Sequence, residues 1–211
     1  MTQQMGEWAG DFGRAYTNRN AMSLQRMDVM YKELYGVTRK EMNCMFLDNF
    51  DKQIRILEVG SNIGLQLRLL QQTGFKNLHG IELQPYAVEL SRHSTKNINL
   101  IQGSAFDIPF KDGFFDFVFT STLLIHISPN DIGLVLSEIY RCTKKYIWCF
   151  EYYADTYTEV EYRGHKDLLW KTDFAKLFLN QFHDLRLVQE KHFKYLGNDN
   201  VDTMFMLKKG D

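Results

Sequence analysis

Glu58, Gly60, Asn62 and Gly64 stand two apart in Ile56-Leu-Glu-Val-Gly-Ser-Asn-Ile-Gly64, where a short apolar run gives way to a helix-period segment. A glycine-bearing turn between a buried strand and a helix leaves backbone N–H groups facing whatever lies beyond the strand's carboxyl end. Gly60, Ser61, Asn62 and Gly64 are therefore candidate binding residues for a nucleoside-type ligand. A dinucleotide fingerprint starting at Gly60 requires glycine at 62 and 65, so that backbone can approach a pyrophosphate. Asn62 and Leu65 occupy those positions and argue against a nicotinamide oxidoreductase. Asn suits position 62 for another reason, since it enters left-handed backbone more readily than most residues and its amide can bond a ligand. Glu82 ends the next apolar run, where a ribose edge would lie, and its carboxylate can accept from two hydroxyls. Leu83 would then meet the base. His126 follows the fourth run, and an imidazole that is neutral near pH 7 is a natural general base. Trp8, Phe12 and Tyr16 are spaced four apart, which puts them on one face of a helix with Arg19 close behind.

These residues need elements to hold them. From Ile54 onward, short β-rich runs alternate with helix-period segments, the pattern of a parallel sheet with helices on both faces. Strands are expected over 54–59, 78–82, 98–102, 114–120 and 146–152, and helices over 65–72, 85–93, 131–141 and 173–180. Segments 185–195 and 201–209 are strand-like and joined by Gly197-Asn-Asp-Asn200, which suits an antiparallel hairpin. The expected fold is α/β: a Rossmann-like, doubly wound, seven-stranded sheet, mostly parallel with the last strand antiparallel. Residues 1–50 carry helical spacing, as in Leu24, Met27, Met30, Tyr31 and Leu34, and are expected to form a helical cap within the same domain as 51–211.

Glycines at 60 and 64, with an acidic residue two before the first, resemble motif I of class I S-adenosylmethionine-dependent methyltransferases. Gln102-Gly-Ser-Ala-Phe-Asp-Ile-Pro-Phe110 resembles the segment that borders the adenine in that family, placing Ser104, Ala105 and Phe106 beside the base, with Asp107 a turn residue. Phe114-Phe-Asp-Phe-Val-Phe-Thr120 matches motif IV in position, and Thr120 is placed among the cofactor contacts while Asp116 is structural. The strand exit lacks an Asn/Asp-Pro-Pro-Tyr/Phe sequence and a cysteine, against DNA- and glutamine-type acceptors. The resemblance narrows further to the pseudaminic acid biosynthesis-associated methylases. It is carried by Trp8-Ala-Gly-Asp-Phe12-Gly13 with Tyr16, Arg19 and Asn20, by Gly60-Ser-Asn-Ile-Gly64, by Leu124-Ile-His-Ile-Ser-Pro129, by Glu151-Tyr-Tyr153, and by Glu161-Tyr-Arg-Gly-His165 with Leu169-Trp-Lys171.

The resemblance implies S-adenosylmethionine as cofactor, S-adenosylhomocysteine as product, and methyl transfer to an O or N atom of a small polar acceptor. Tyr16 and Arg19 are expected at the methionyl carboxylate, and His126 and Tyr152 at the reacting centre. Trp8, Phe12, Glu151, Tyr153, Tyr162, Arg163, His165 and Lys171 are expected at the acceptor, with Arg and Lys suiting a carboxylate or phosphate. The acceptor class implied is a sugar, sugar nucleotide or related anionic metabolite of surface-glycan biosynthesis. The alternatives are a cofactor-binding but silent partner in a biosynthetic complex, or an RNA or protein methyltransferase.

Composition limits the remaining classes. A formal net charge of −1 without a basic run disfavours a nucleic-acid or anionic-membrane partner. Three cysteines without CxxC spacing suggest neither a disulfide framework nor a metal site, and no apolar run approaches a membrane span, so a cytoplasmic protein without metal is expected.

Overall fold

The computed structural model describes residues 3–210. Its strands are β1 (Arg55–Val59), β2 (Asn77–Glu82), β3 (Ile98–Gln102), β4 (Phe115–Ser121), β5 (Thr143–Tyr152), β6 (Thr158–Glu159), β7 (Trp170–Lys171), β8 (Leu185–Lys194) and β9 (Val201–Lys209). Its helices are α1 (Gln3–Ala9), α2 (Asp11–Asn20), α3 (Leu24–Tyr35), α4 (Arg39–Leu47), α5 (Leu65–Gln72), α6 (Pro85–Ser94), α7 (Ile132–Cys142) and α8 (Phe174–Gln181).

Seven strands form one sheet in the order β3-β2-β1-β4-β5-β9-β8. All neighbours from β3 to β5 are parallel, and β9 runs antiparallel to both β5 and β8. The expected reversed strand is thus β9, and β8 points with the body of the sheet. Because side chains alternate across a strand, the sheet feeds two cores. Leu57, Val59, Val118, Ile147 and Phe205 meet Val135, Ile139 and Phe178 of α7 and α8 on one face. Ile56, Phe117, Trp148 and Met206 meet Met27 of α3, Met42 and Phe46 of α4 and Leu70 of α5 on the other. Burial on both faces explains why these strands read as nearly continuous apolar runs.

Local signals set the helix ends. Ser23 accepts from the Arg26 N–H to start α3, Gly36 in left-handed backbone ends it, and a Thr38–Glu41 capping box opens α4. β5 begins at Thr143, three residues before its expected start, because α7 runs directly into it. The short β6–β7 ribbon was not expected from sequence.

The N-terminal helix departs from expectation. Trp8, Phe12 and Tyr16 do not share one helix: α1 ends at Ala9, Gly10 is extended, and α2 begins at Asp11. The rings still converge, with Trp8 5.1 Å from Phe12 and 5.2 Å from Tyr16, because α1 folds back over α2. Gly13 permits that fold, since a Cβ there would stand 1.8 Å from the Trp8 carbonyl oxygen. The Gln84 amide donates to the carbonyls of Trp8, Ala9 and Gly10, satisfying the end of α1. Among the described residues, no helix is long and apolar enough to cross a membrane.

Candidate active site

Strand order reverses between β1 and β4, and in open α/β sheets the crevice beyond the carboxyl ends at such a point is where ligands bind. A cavity of about 370 Å³ lies there, roofed by α1 to α3.

The β1–α5 turn uses three left-handed residues, Gly60 (φ 75°), Asn62 (φ 46°) and Gly64 (φ 78°). Gly60, Ser61 and Asn62 line the cavity, while Gly64 sits at the start of α5 outside it. The expected amide cradle is not what this turn presents. Gly60 and Ser61 donate their N–H groups to the Ile81 carbonyl, Asn62 donates to Glu82 Oε2 at 2.8 Å, and Gly64 donates to the Ser61 carbonyl. The Asn62 side chain is likewise engaged, accepting from the Ile63 N–H and donating to Thr17 Oγ1. With its donors satisfied internally, the turn offers bare glycine surface beside carboxylates, an arrangement suited to a cation and unsuited to a pyrophosphate.

Glu82 stands at the end of β2, with Oε1 accepting from the Gln84 N–H at 2.7 Å and Oε2 from Asn62. Each oxygen keeps lone-pair capacity toward the cavity. Burial raises its pKa, and the Gln84 and Asn62 amides pull it back. Leu83, Ser104, Ala105 and Phe106 line the next stretch of wall. Ser104 Oγ accepts from the Phe106 N–H at 3.1 Å, and the Asp107 N–H bonds the Ser104 carbonyl, so Asp107 closes a turn as expected. Deeper in, buried Glu58 has an oxygen with no hydrogen-bond partner, and burial raises its pKa well above the usual range.

His126 is buried in a 3-10 turn (Leu124–His126) on the cavity wall, 4.4 Å from the Trp8 ring and 5.5 Å from that of Tyr162. Its Nδ1 lies 2.8 Å from the Leu168 carbonyl, which can only accept, so Nδ1 carries the proton and Nε2 the lone pair. Burial pushes its pKa down to about 4, against the opposing Leu168 bond. The ring is therefore neutral at pH 7 but a weak base, better suited to accepting a hydrogen bond than to removing a proton.

That pKa has a consequence for stability. As pH falls below the ordinary value of 6.5, the unfolded chain takes up a proton that the folded ring refuses until about pH 4. The contribution is complete above pH 6.5 and lost as pH falls toward 4, amounting to about 3 kcal/mol. Urea unfolding at pH 7.5 and 4.5 should therefore show a smaller acid loss in His126→Phe than in the parent chain. Equal losses would refute the assignment of a buried neutral ring.

Four expected contacts lie outside the cavity, and two of them, Glu151 and Thr120, are structural supports. Glu151 is 1% exposed, and its carboxylate accepts from the Thr120 hydroxyl at 2.7 Å and from the Leu123 and Ile125 N–H groups. Glu151 and Thr120 thus pin the 123–126 turn from behind and do not line the cavity. Burial pushes the Glu151 carboxyl up to about 7, with the Thr120 hydroxyl opposing. Arg19 is exposed on α2 and Asn20 faces the cavity in its place; Tyr153 turns outward to Asp155.

Of the remaining acceptor residues, Trp8 and Tyr162 line the cavity, as do Tyr152, expected at the reacting centre, and Tyr16 among the cofactor residues. Phe12 lies one layer out, 5.2 Å from the His165 ring. Arg163 and His165 are exposed, and Lys171 donates to Asn200 Oδ1 while lying over the Tyr152 ring. Among the described residues no basic pocket for an anionic acceptor is formed: the acidic and basic side chains that line the cavity are Glu58, Glu82 and Asp202, with neutral His126.

Sequence reasoning missed Gln4, whose amide bridges the His126 and Asp167 carbonyls and the Ser128 N–H, tying α1 across the cavity. It also missed a lobe lined by Tyr31, Tyr35, Tyr195 and Asp202. The legible signal was Asp202, an acid just ahead of the apolar Met204–Leu207 run. Among the described residues, no cluster of metal-ligating side chains occurs, and the three cysteines are free.

Residues 57–149 match the family described as methyltransferase domain. A demethylmenaquinone methyltransferase of Geobacillus is 26% identical over 138 residues, covering 61% of this chain and 57% of that protein. The chain spans about half the length of the curated relatives it matches. In fold it is similar to a chain of the complex between the Haloferax volcanii Trm112 methyltransferase activator and a methyltransferase, with TM-score 0.71 and 16% identity over 96% of this chain and 98% of that one. It is also similar to an S-adenosylmethionine-dependent methyltransferase of Methanosarcina mazei, with TM-score 0.64 and 14% identity over 79% and 97% of the two chains. The cavity therefore lies in a fold shared with S-adenosylmethionine-dependent methyltransferases, in a chain whose residues 57–149 match a methyltransferase domain.

Proposed function

We propose that the protein is an S-adenosylmethionine-dependent methyltransferase acting on an O or N atom of a small polar acceptor and releasing S-adenosylhomocysteine. The observation that carries this reading is the cavity at the strand-order reversal, lined by three carboxyl groups and, among the described residues, by no Lys or Arg. Such a lining complements a sulfonium, and a Gly60 without a side chain leaves its wall flat enough for a nucleoside. Glu82 would hold the ribose, Leu83 and Phe106 would flank the adenine, and Glu58, with its unpartnered oxygen, would face the methionyl amine.

When bound, that cofactor supplies an electrophilic methyl group. The chain's task is to place the acceptor in line with it and exclude water, a contribution of up to roughly 7–11 kcal/mol from positioning alone. Trp8, Tyr16 and Tyr162 close the roof around His126, whose unprotonated Nε2 can accept a hydrogen bond from the acceptor. Tyr152 also lines the cavity with a half-buried phenol, its pKa raised by burial.

The resemblance to pseudaminic acid biosynthesis-associated methylases favours a sugar or sugar nucleotide as acceptor. A lining without Lys or Arg among the described residues favours its hydroxyl or amine face over any anionic group. Incubation with methyl-labelled S-adenosylmethionine and a panel of sugars, amino sugars and sugar nucleotides tests the activity. Label is expected on at least one acceptor; no transfer despite tight cofactor binding would favour the silent-partner alternative.

A further inference from the structure

We propose that the acceptor is an amine, its nitrogen held by Asp202 inside a lobe walled by Tyr31, Tyr35, Tyr152 and Tyr195. The proposal rests on the methyltransferase reading above and names the substrate class for the same cavity.

Asp202 reaches this site through topology. It opens β9 opposite Tyr152 near the end of β5, and an antiparallel strand begins at the edge where its parallel neighbour finishes. Its side chain is fully buried and lines the cavity. Oδ2 accepts from the Tyr35 hydroxyl, the Tyr195 hydroxyl also favours the charge by hydrogen bonding, and Oδ1 has no hydrogen-bond partner. Among the described residues, no Lys, Arg or His forms an ion pair with it. Lys171 and Arg39 favour its charge from farther off; Lys171 bonds Asn200, and Arg39 bonds Asn43 and Tyr31 while its other terminal nitrogen has no hydrogen-bond partner.

A buried carboxylate with a free oxygen and no directly paired cation is costly unless a ligand completes it. Burial pushes the Asp202 carboxyl up to about 6, so it remains anionic at neutral pH. Around it, Tyr35 lies 4.9 Å from Tyr195 and 5.4 Å from Tyr31, and Tyr152 lies 6.1 Å from Tyr195. Aromatic faces attract cations, and rings grouped about one carboxylate suit an organic ammonium. Met22, Met27 and Met30 add an apolar surface for the carbon skeleton. A hydroxyl would also bond Oδ1, but it would leave the charge of the carboxylate uncompensated. A carboxylate or phosphate would meet like charge.

The neutral amine, having lost its proton to solvent, attacks through its lone pair, which becomes the new nitrogen–carbon bond. The carbon–sulfur bonding pair stays on sulfur, giving the neutral thioether, and the positive charge passes to nitrogen. Asp202 and the rings then stabilise a charge that grows during the step.

The test uses the full chain saturated with S-adenosylhomocysteine and two matched probe sets, titrated calorimetrically: glucosamine, glucose and glucuronate, and cyclohexylamine, cyclohexanol and cyclohexanecarboxylate. In at least one set the amine is expected to bind about ten-fold tighter than its alcohol and carboxylate counterparts. Asp202→Asn should erase that preference while changing S-adenosylhomocysteine affinity less than three-fold. Tyr195→Leu, at the partly exposed rim, should reduce the preference about three-fold and provides a second variant if Asp202→Asn fails to fold. An alcohol or carboxylate binding as tightly as the amine, no probe binding in either set, or a preference that survives both variants would overturn the proposal. Failure of S-adenosylhomocysteine itself to bind would instead overturn the methyltransferase reading.

Discussion

Gly60→Val is expected to abolish S-adenosylhomocysteine binding, with a loss of at least ~100-fold, while the chain remains folded. Two costs combine at this position. Gly60 has φ 75°, where an L-residue is disfavoured by roughly 1–2 kcal/mol and a β-branched one by more. A Cβ would also stand 2.7 Å from Leu123 Cδ1 and 3.2 Å from its Cγ. Leu123 cannot retreat freely, because its N–H is fixed to Glu151 at the buried end of β5. Side chain and turn must therefore be displaced into the space beside the cavity, where the cofactor is proposed to lie. Gly113→Ala is the control: Gly113 has φ 60° with nothing within 4 Å of the added Cβ, and it lies outside the cavity. It should cost about 1 kcal/mol of stability and leave affinity unchanged. Equal affinity in Gly60→Val and the parent chain, measured by calorimetry, would remove this wall from the site.

Glu82→Ala is expected to weaken S-adenosylhomocysteine binding by about 1–3 kcal/mol, or roughly 5- to 150-fold, and to lower stability as well. The carboxylate has two roles. It would accept from the ribose hydroxyls, and it holds the Asn62 and Gln84 N–H groups at 2.8 and 2.7 Å. Removing it leaves both amides without an acceptor and frees Asn62, a left-handed residue, at the centre of the turn. Glu82→Gln keeps an acceptor oxygen but loses the charge, so its affinity should fall between the other two. Paired calorimetric titrations and urea unfolding separate the effects: a stability loss without an affinity loss would mean that Glu82 only braces the turn.

The sheet was largely legible because its signals are local. Strands buried on both faces read as apolar runs, and α5 spans the expected 65–72 because Gly64 and the following amphipathic period mark its start. Asn62 was anticipated as left-handed backbone and adopts φ 46°. The break between α1 and α2 was not legible, since spacing by four is satisfied equally by one helix or by two that fold together at Gly10 and Gly13.

Side-chain direction was the harder problem in the site. Thr120 and Glu151 sit at strand ends beside the cavity, yet both turn inward to hold the 123–126 turn, because its N–H groups need acceptors that sequence does not reveal. Asp202 lies far along the chain from the glycine turn, and only the β5–β9 register brings it to the cavity. The basic residues near 163–171 looked suited to an anion by type, but their exposure and their bonds to neighbours keep them out of the lining.

A sulfonium nucleoside is proposed to occupy the crevice beyond β1 and β4, and a crystal structure of the full chain grown with S-adenosylhomocysteine tests this placement. Ribose hydroxyls are expected within hydrogen-bond distance of Glu82, with the adenine between Leu83 and Phe106. A ligand bound elsewhere, or a crevice filled by the protein's own side chains under saturating ligand, would contradict it.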